Sequence, residues 1–536
     1  MLDRQVKNSL RADIFRHLDG IVTAPTAYSL YSNSVLDYIL EKGTVEIKSL
    51  ARRFKANEGY LNVALHTLSS QGWIDYKINN ENDTIEYTVN QNSNAAFKSF
   101  KLYEDVVGLM KFSARFHRRK FEKEPFLYLK TIINSYKNNY DLESVVEGTI
   151  EYQILKHIEG ILVGPTIVAL GMNGMFHKYF LESSFHPSEF HEDVESFSSL
   201  LDFFVFLGWF KKHNENYSFT EKGLFFARRA SAYGVTVSYI PTLRRLDQLI
   251  FGNSNHIRDI DSSKEEQHVD REMNVWGSGG AHSSYFKKMD EVLIEIFNRP
   301  LHEQPKGILD MGCGNGAFLI HAYNVISLQT LRGAHLEDHP LILVGADFNQ
   351  SALKVTRRNI IKSEIWAKLV WGDIGDPQSL AQDLKDNFNI LLEDLLNVRT
   401  FLDHNRIWKD IPKAKRIKTS TSQGAFAYKG MRINNNALEE NLRQHLELWK
   451  PYINKFGLLA IELHTISPSF ISENLGKTPA TAYNATHGYS DQYILELKIF
   501  RTLAESVGLQ LNQDASCRFP ESDLATVSIN YFEGKI

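Results

Sequence analysis

The sequence predicts an α/β chain, with a doubly wound parallel sheet in the C-terminal half and a mainly helical half before it. Three observations carry this. From Gly307 onward, short apolar runs recur, each closing on a polar residue, with helix-like segments between them. The first run enters a glycine turn, Asp310-Met-Gly-Cys-Gly-Asn-Gly316. In the N-terminal half, His17-Leu-Asp-Gly-Ile-Val-Thr-Ala-Pro-Thr26 returns as His157-Ile-Glu-Gly-Ile-Leu-Val-Gly-Pro-Thr166.

The glycine turn is the strongest local signal. Gly312, Gly314 and Gly316 let the backbone turn sharply and let a ligand lie against it. The helix predicted from Ala317 offers unsatisfied N–H groups and the positive end of its dipole. A second apolar run, Leu341 to Asp347, ends in an acid followed by Phe348. A carboxylate there suits a ribose diol, because it accepts two hydroxyl hydrogen bonds. Leu369 to Asp373, followed by Ile374, is the third strand. Phe388 to Asp394 is the fourth, with Glu393 at its end, and Phe456 to His464 is the fifth, with Glu462 and His464 at its tip. Ala525 to Phe532 reads as one more strand. In such sheets ligands sit beyond the carboxyl ends of the strands. The spacing is G-x-G-x-G and the second acid is distant, past an insertion around Leu328 to Pro340, which disfavours a dinucleotide dehydrogenase.

The repeat organises the other half. Gln71-Gly-Trp73-Ile is echoed by Leu207-Gly-Trp209-Phe, and a strand pair with a polar turn follows each. Helices followed by a hairpin suggest a winged helix, here duplicated. Its expected recognition helices exclude a nucleic-acid partner. Asn57 to Ser70 has no Lys or Arg, and His191 to Phe204 has Glu192, Asp193, Glu195 and Asp202 without a base. The modules are expected to roof the catalytic domain or to support association, a homodimer included. The boundaries read 1–125 and 126–254 for the two modules, 255–272 for a polar linker, and 273–536 for the catalytic domain.

With 60 Lys and Arg against 64 Asp and Glu, the net charge of −4 points to no polyanionic partner. Two cysteines, Cys313 and Cys517, exclude a disulfide framework and a zinc–cysteine site. The charged N-terminus does not read as a signal peptide, and no apolar run reads as long enough to span a bilayer. A soluble, cytoplasmic protein with no membrane partner is expected.

Two further segments carry candidate chemistry. Trp276, Gly280, His282 and Tyr285 lie in a Gly- and Ser-rich stretch just before the sheet, which reads either as a Gly-Gly turn closing over a ligand or as a helix N-cap followed by packed aromatics. His487 and Gln492, with Tyr489 between them, follow the fifth strand; alone, such a pair is most often a hydrogen-bonded loop.

The Asp310 turn, Asp347 and the Asp373-Ile374 pair resemble the motifs of class I S-adenosylmethionine-dependent methyltransferases, which have a Rossmann-like sheet. The resemblance implies that Asp310, Gly312, Gly314, Gly316, Asp347, Phe348, Asp373, Ile374 and Glu393, with Trp276, Gly280, His282 and Tyr285, hold S-adenosylmethionine. The combination V-W-G-S-G-G-A-H, D-M-G-C-G-N-G, A-D-F-N and T-H-G-Y-S-D-Q is similar to the metal-dependent C-methyltransferase domains of polyketide synthases, the type found in the apratoxin initiation module. That resemblance implies a mononuclear Fe(II) or Mn(II) on His487 and Gln492. It also implies methylation of the α-carbon of a malonyl-like, β-dicarbonyl or 2-oxo acid substrate, as a small molecule or on an acyl carrier protein. A metal chelated by both acceptor oxygens would stabilise an enolate as a Lewis acid, and Glu462, His464 and Tyr489 are the candidate assisting residues, with a strand-end hydrogen-bond pair the other reading of Glu462 and His464. The competing expectations are an O- or N-methyltransferase with a His or Glu base, and a winged-helix regulator that senses the cofactor.

Overall fold

Five apolar runs form five parallel strands of one sheet. In a computed structural model, residues 2–111, 123–140, 144–180, 182, 184–254, 267–410 and 419–534 are described, with backbone alone at 123 and 280–284. The strands are β1 (Gly307–Met311), β2 (Ile342–Asp347), β3 (Lys368–Trp371), β4 (Leu395–Thr400), β5 (Leu458–Leu463), β6 (Leu509–Phe519) and β7 (Val527–Gly534). Their order across the sheet is β6-β7-β5-β4-β1-β2-β3. β1 pairs in parallel with both β2 and β4, while β7 runs antiparallel to β5 and β6. β1 is buried along its whole length, as expected of a strand covered on both faces. The order reverses direction at β1, so a crevice opens beyond the carboxyl ends of β1 and β4.

Two strand assignments change. The fourth strand begins at Leu395, after Glu393 and Asp394, which sit in a 3-10 turn. Leu509–Phe519 is a strand that the sequence reading did not contain.

Contacts divide the chain into two units: 1–281 with 425–432 and 467–491, and 282–424 with 433–466 and 492–536. The first unit therefore takes two pieces of the half expected to be wholly catalytic. Within it, Ser70 and Gln71 hydrogen-bond Thr481 at 3.0 Å each, which ties the segment around helix Ala480–Gly488 to helix Glu58–Ser70.

The repeat has a physical cause. Helices Arg4–Ser32 and Ile150–Met172 cross at their equivalent glycines. A Cβ on Gly20 would lie 2.3 Å from His157 Cα, and one on Gly160 would lie 2.4 Å from the His17 carbonyl oxygen. The flanking histidines are paired in parallel fashion: His17 Nδ1 with the Tyr233 hydroxyl and His157 Nδ1 with the Tyr103 hydroxyl, both at 2.8 Å. The Gly-Trp echo is a helix stop. Gly72 and Gly208 adopt φ of +77° and +75°, and the Trp73 and Trp209 amides donate back to Leu68 and Phe204.

The first winged helix is complete, with helices Val35–Lys42, Ile47–Phe54 and Glu58–Ser70 and a sheet of Thr44–Glu46, Thr84–Val89 and Ile74–Asn79 in that order. Its third helix is buried from Gly59 to Ser70. The second copy keeps helix Val194–Phe206 and the pair Phe210–His213 and Asn216–Phe219, with Phe185 bridging to Tyr217.

Helix Ile150–Met172 corrects the reading of the apolar runs. It is long and apolar enough to cross a membrane, yet 89% of its most apolar window is buried within the protein. Of the expected linker, 255–266 lies outside the described residues, and Arg271 and Glu272 already begin helix Arg271–Phe297.

Candidate functional site

The site is built at the carboxyl edge of β1, β2 and β3. The turn leaves β1 with Gly312, Gly314 and Gly316 at φ of +79°, +55° and +79°. A side chain at Gly312 would strike Leu402, and one at Gly316 would strike Thr356. At Gly314 the space beside the main chain is open, a cradle for a ligand. Helix Gln350–Lys362 holds the turn: Thr356 Oγ1 donates to the Gly314 carbonyl (2.6 Å) and Asn359 Nδ2 to that of Asn315 (2.9 Å). Asp347, at the end of β2, accepts from the N–H groups of Gly314 (2.9 Å) and Asn349 (2.8 Å).

Asp310 is buried, and neither carboxyl oxygen has a hydrogen-bond partner among the described residues. Burial, reinforced by Asp347, pushes its pKa up to about 8. Two orphaned acceptors next to a bare glycine turn suit a cationic ammonium such as that of a methionyl group. Phe348 is 55% exposed and packs against Trp371, ring centroids 5.5 Å apart. Asp373 Oδ1 accepts from the Gly375 amide (2.7 Å), and the carbonyl of buried Ile374 accepts from Trp449 Nε1 (2.7 Å). Donors, acceptors and apolar faces for an amino-acid end, a ribose and an adenine thus line one edge.

Glu393 does not join them. Leu395 pairs with Gly307 at the start of β1, so the turn before it lies at the amino edge of the sheet. Its neighbour Asp394 pairs there with Lys306 (2.7 Å) and Lys455 (2.6 Å).

A second cluster lies past β4 and β5. The buried Glu462 carboxylate accepts from the Leu463 amide (2.7 Å), from the His404 amide (3.2 Å) and from His404 Nδ1. Next to His404, Asn405 Oδ1 accepts from Gln492 Nε2 (2.9 Å). His404 was not singled out from sequence. The signal available was Asp403-His-Asn directly after an apolar strand, whose counterpart is Glu462. His464 turns away into structure: Nδ1 donates to the Leu495 carbonyl (3.0 Å), and Nε2 accepts from Ser528 Oγ (2.6 Å). Burial lowers its pKa to about 3, so it stays neutral and serves the strand end rather than a reaction.

In the first unit, His487 Nδ1 lies 2.7 Å from the Tyr483 carbonyl oxygen. Only an Nδ1–H can make that bond, so the lone pair resides on Nε2, the tautomer of a metal-ligating imidazole. Asp491, the residue before Gln492, holds φ of +52°, with its carboxylate on the Tyr60 hydroxyl (2.8 Å) and the Lys429 amide (2.9 Å). Tyr489 is a correction: it is a core residue of this unit, with its hydroxyl on Thr26 Oγ1 (3.0 Å) and its pKa raised by burial. Among the described residues, no three His, Cys, Asp or Glu side chains group as a metal cage; a His–Gln pair is a different donor set.

The Gly-Gly stretch is helix rather than a turn, continuous from Arg271 to Phe297. Gly277 serves packing: a Cβ there would lie 2.5 Å from the Val235 amide nitrogen. Trp276 packs at Gly171 and Gly234 in the first unit. Tyr285, in the second unit, stacks near Phe519 (5.1 Å) and Phe401 (5.9 Å). The side chains at Gly280 and His282 lie outside the described residues.

A seven-stranded sheet of this order, with one reversed strand and a glycine cradle between strand-end acids, is that of a class I methyltransferase using S-adenosylmethionine. Family models place it further. Residues 10–76 match the AprA N-terminal domain, 159–253 the AprA winged helix domain, and 266–530 the AprA MT2-like domain of methyltransferases. The chain is an S-adenosylmethionine-dependent methyltransferase with AprA-like domains. No curated protein matches it in sequence. Similar solved structures include the mitomycin 7-O-methyltransferase MmcR, 11% identical, covering 72% of this chain and 98% of that one, with a TM-score of 0.40. Another is the N,N-8-amino-8-demethyl-D-riboflavin dimethyltransferase RosA from Streptomyces davawensis, 11% identical over 72% and 100% of the two chains, TM-score 0.39.

Proposed function

We propose that this enzyme methylates carbon: the α-carbon of a malonyl-like, β-dicarbonyl or 2-oxo acid acceptor, free or on an acyl carrier protein, in natural-product biosynthesis. The observation that carries this is the His487 tautomer, fixed by Tyr483 with the lone pair on Nε2. Gln492 fits the same role, since its amide N–H is donated to Asn405 and its ligating atom would be the oxygen. The sequence resemblance to metal-dependent C-methyltransferases is what assigns His487 and Gln492 as the residues that would hold a divalent ion. Both ligands are neutral and no thiolate belongs to the set, which favours Fe(II) or Mn(II). Bound there, the ion would act as a Lewis acid toward the acceptor's carbonyl oxygens.

The chain's own residues supply the rest. Asp310, Gly314 and Asp347 orient the methyl donor, since in-line transfer depends on positioning the two reactants. His404 Nε2 takes the proton from the acceptor carbon, and the Glu462 carboxylate at Nδ1 stabilises the imidazolium that forms. Metal analysis of protein purified without chelator tests this, together with His487→Ala and Gln492→Ala. Expected are a stoichiometric transition metal in the wild type and loss of metal and activity in both variants, with cofactor affinity retained. A metal-free wild type and two fully active variants would sink the reading.

The buried His404–Glu462 pair favours one alternative, O- or N-methyl transfer with His404 as sole activator. In that case His404→Gln abolishes turnover, whereas His487→Ala is harmless.

A further inference from the structure

Behind His404 lies a charged cluster that the proposed reaction does not use. Arg399, Asp403, Arg406 and His445 are all at most 5% exposed. Asp403 Oδ1 accepts from Arg399 Nη1 (2.5 Å) and His445 Nε2 (2.9 Å). Burial pushes the Asp403 carboxyl up, but Arg399 and His445 overcome it and hold the pKa well below the usual range. Its Oδ1 is therefore taken up by those partners, while its buried Oδ2 has no hydrogen-bond partner among the described residues.

Arg399 also has buried unpartnered nitrogens, Nε and Nη2, but it holds the Asp403 carboxylate, whereas Arg406 hydrogen-bonds no carboxylate. Arg406 Nε donates to Asn441 Oδ1 (2.7 Å) and Nη1 to the Asp403 backbone carbonyl (2.8 Å), and the guanidinium lies over the Tyr493 ring at 5.6 Å. These contacts lock the planar group in place, yet none is with a carboxylate. Nη2 is buried and has no partner among the described residues. A buried cation is costly unless paired. Burial lowers the pKa of Arg406 to about 10, with Asp403, Tyr493 and Glu462 opposing, so the group stays charged at neutral pH. Glu462 is already taken up by His404 and two backbone amides. Arg406 stands two residues after His404 and one after Asn405, so its spare donor belongs to the turn that carries the proposed base.

We propose that Arg406 binds a carboxylate of the methyl acceptor. The substrate is then an anion of the malonyl or 2-oxo acid kind rather than a neutral β-dicarbonyl compound. This rests on the acceptor meeting the His404 turn; it does not depend on the metal or on which atom is methylated. A locked guanidinium with a free N–H selects a planar anion by geometry as well as charge.

The test is calorimetric titration of malonate and of neutral malonamide into the full chain saturated with S-adenosylhomocysteine. Wild type is expected to bind malonate at least about tenfold more tightly than malonamide. Arg406→Gln is expected to erase that difference, and Arg406→Lys to keep part of it. Unchanged S-adenosylhomocysteine affinity verifies the fold of each variant. Wild type without discrimination overturns the proposal, as does either folded variant binding malonate as tightly as wild type. If Arg406→Gln does not fold, wild type and Arg406→Lys decide the matter. Arg406-dependent discrimination without any C-methylated product would refute the proposed function and leave this assignment standing.

Discussion

At the scale of single residues, Asp310 sets folding against binding. Its folded pKa of about 8 lies above the ordinary 3.8. The fold thus favours the protonated acid, and stability falls as pH rises from the ordinary value through 8. Asp310→Asn is expected to raise apo stability above pH 8, by roughly 1–3 kcal/mol in denaturant titration, while weakening cofactor binding. A methyl donor's ammonium would draw the proton off Asp310. Cofactor affinity should therefore rise with pH up to about 8, with proton release visible as buffer-dependent binding heat. Affinity independent of pH below 8 would remove Asp310 from the ammonium site. Asp347→Ala should weaken the cofactor by roughly 1–3 kcal/mol, because its carboxylate also orders the Gly314 amide; unchanged affinity by calorimetry would exclude it. These acids were legible because each closes an apolar run. Glu393 misled because Leu391 and Leu392 extend the apolar pattern ahead of a strand that starts at Leu395. His404 was not legible, since its partner Glu462 is 58 positions away and meets it only once β4 and β5 are neighbours.

At the scale of elements, glycines that read alike do different things. Those of the β1 turn need positive φ, and Gly20, Gly160 and Gly277 need close helix crossings. Sequence separated the first kind, because it follows a strand. It could not separate the second, because a crossing partner such as Gly234 is not adjacent in the chain; the stretch from Trp276 to Gly280 therefore fits a turn as well as a helix. Gly160→Ala is expected to cost roughly 1–3 kcal/mol by thermal or denaturant unfolding, since its Cβ would meet rigid backbone. Gly279→Ala meets nothing within 4 Å and should be neutral or stabilise the helix by up to ~1 kcal/mol. The reverse order would contradict the crossing geometry.

At the scale of the whole molecule, the chain is not a catalytic half appended to a helical half. Segments 425–432 and 467–491 return to the first unit and carry His487 with them. Their bed is helix Glu58–Ser70 and helix Arg4–Ser32, as Thr481 and Tyr489 show. Deleting residues 1–254 should therefore expose the apolar side of helix Ala480–Gly488 and yield aggregated, inactive protein. A soluble, fully active truncate would make the N-terminal modules independent. The central claim is that the methyl group goes to carbon. It is tested most directly by the product formed from methyl-13C-labelled S-adenosylmethionine and the N-acetylcysteamine thioester of malonate, read by carbon NMR. A labelled methyl bonded to the α-carbon is the predicted result. Label found only on oxygen or nitrogen, with this acceptor consumed, would contradict it.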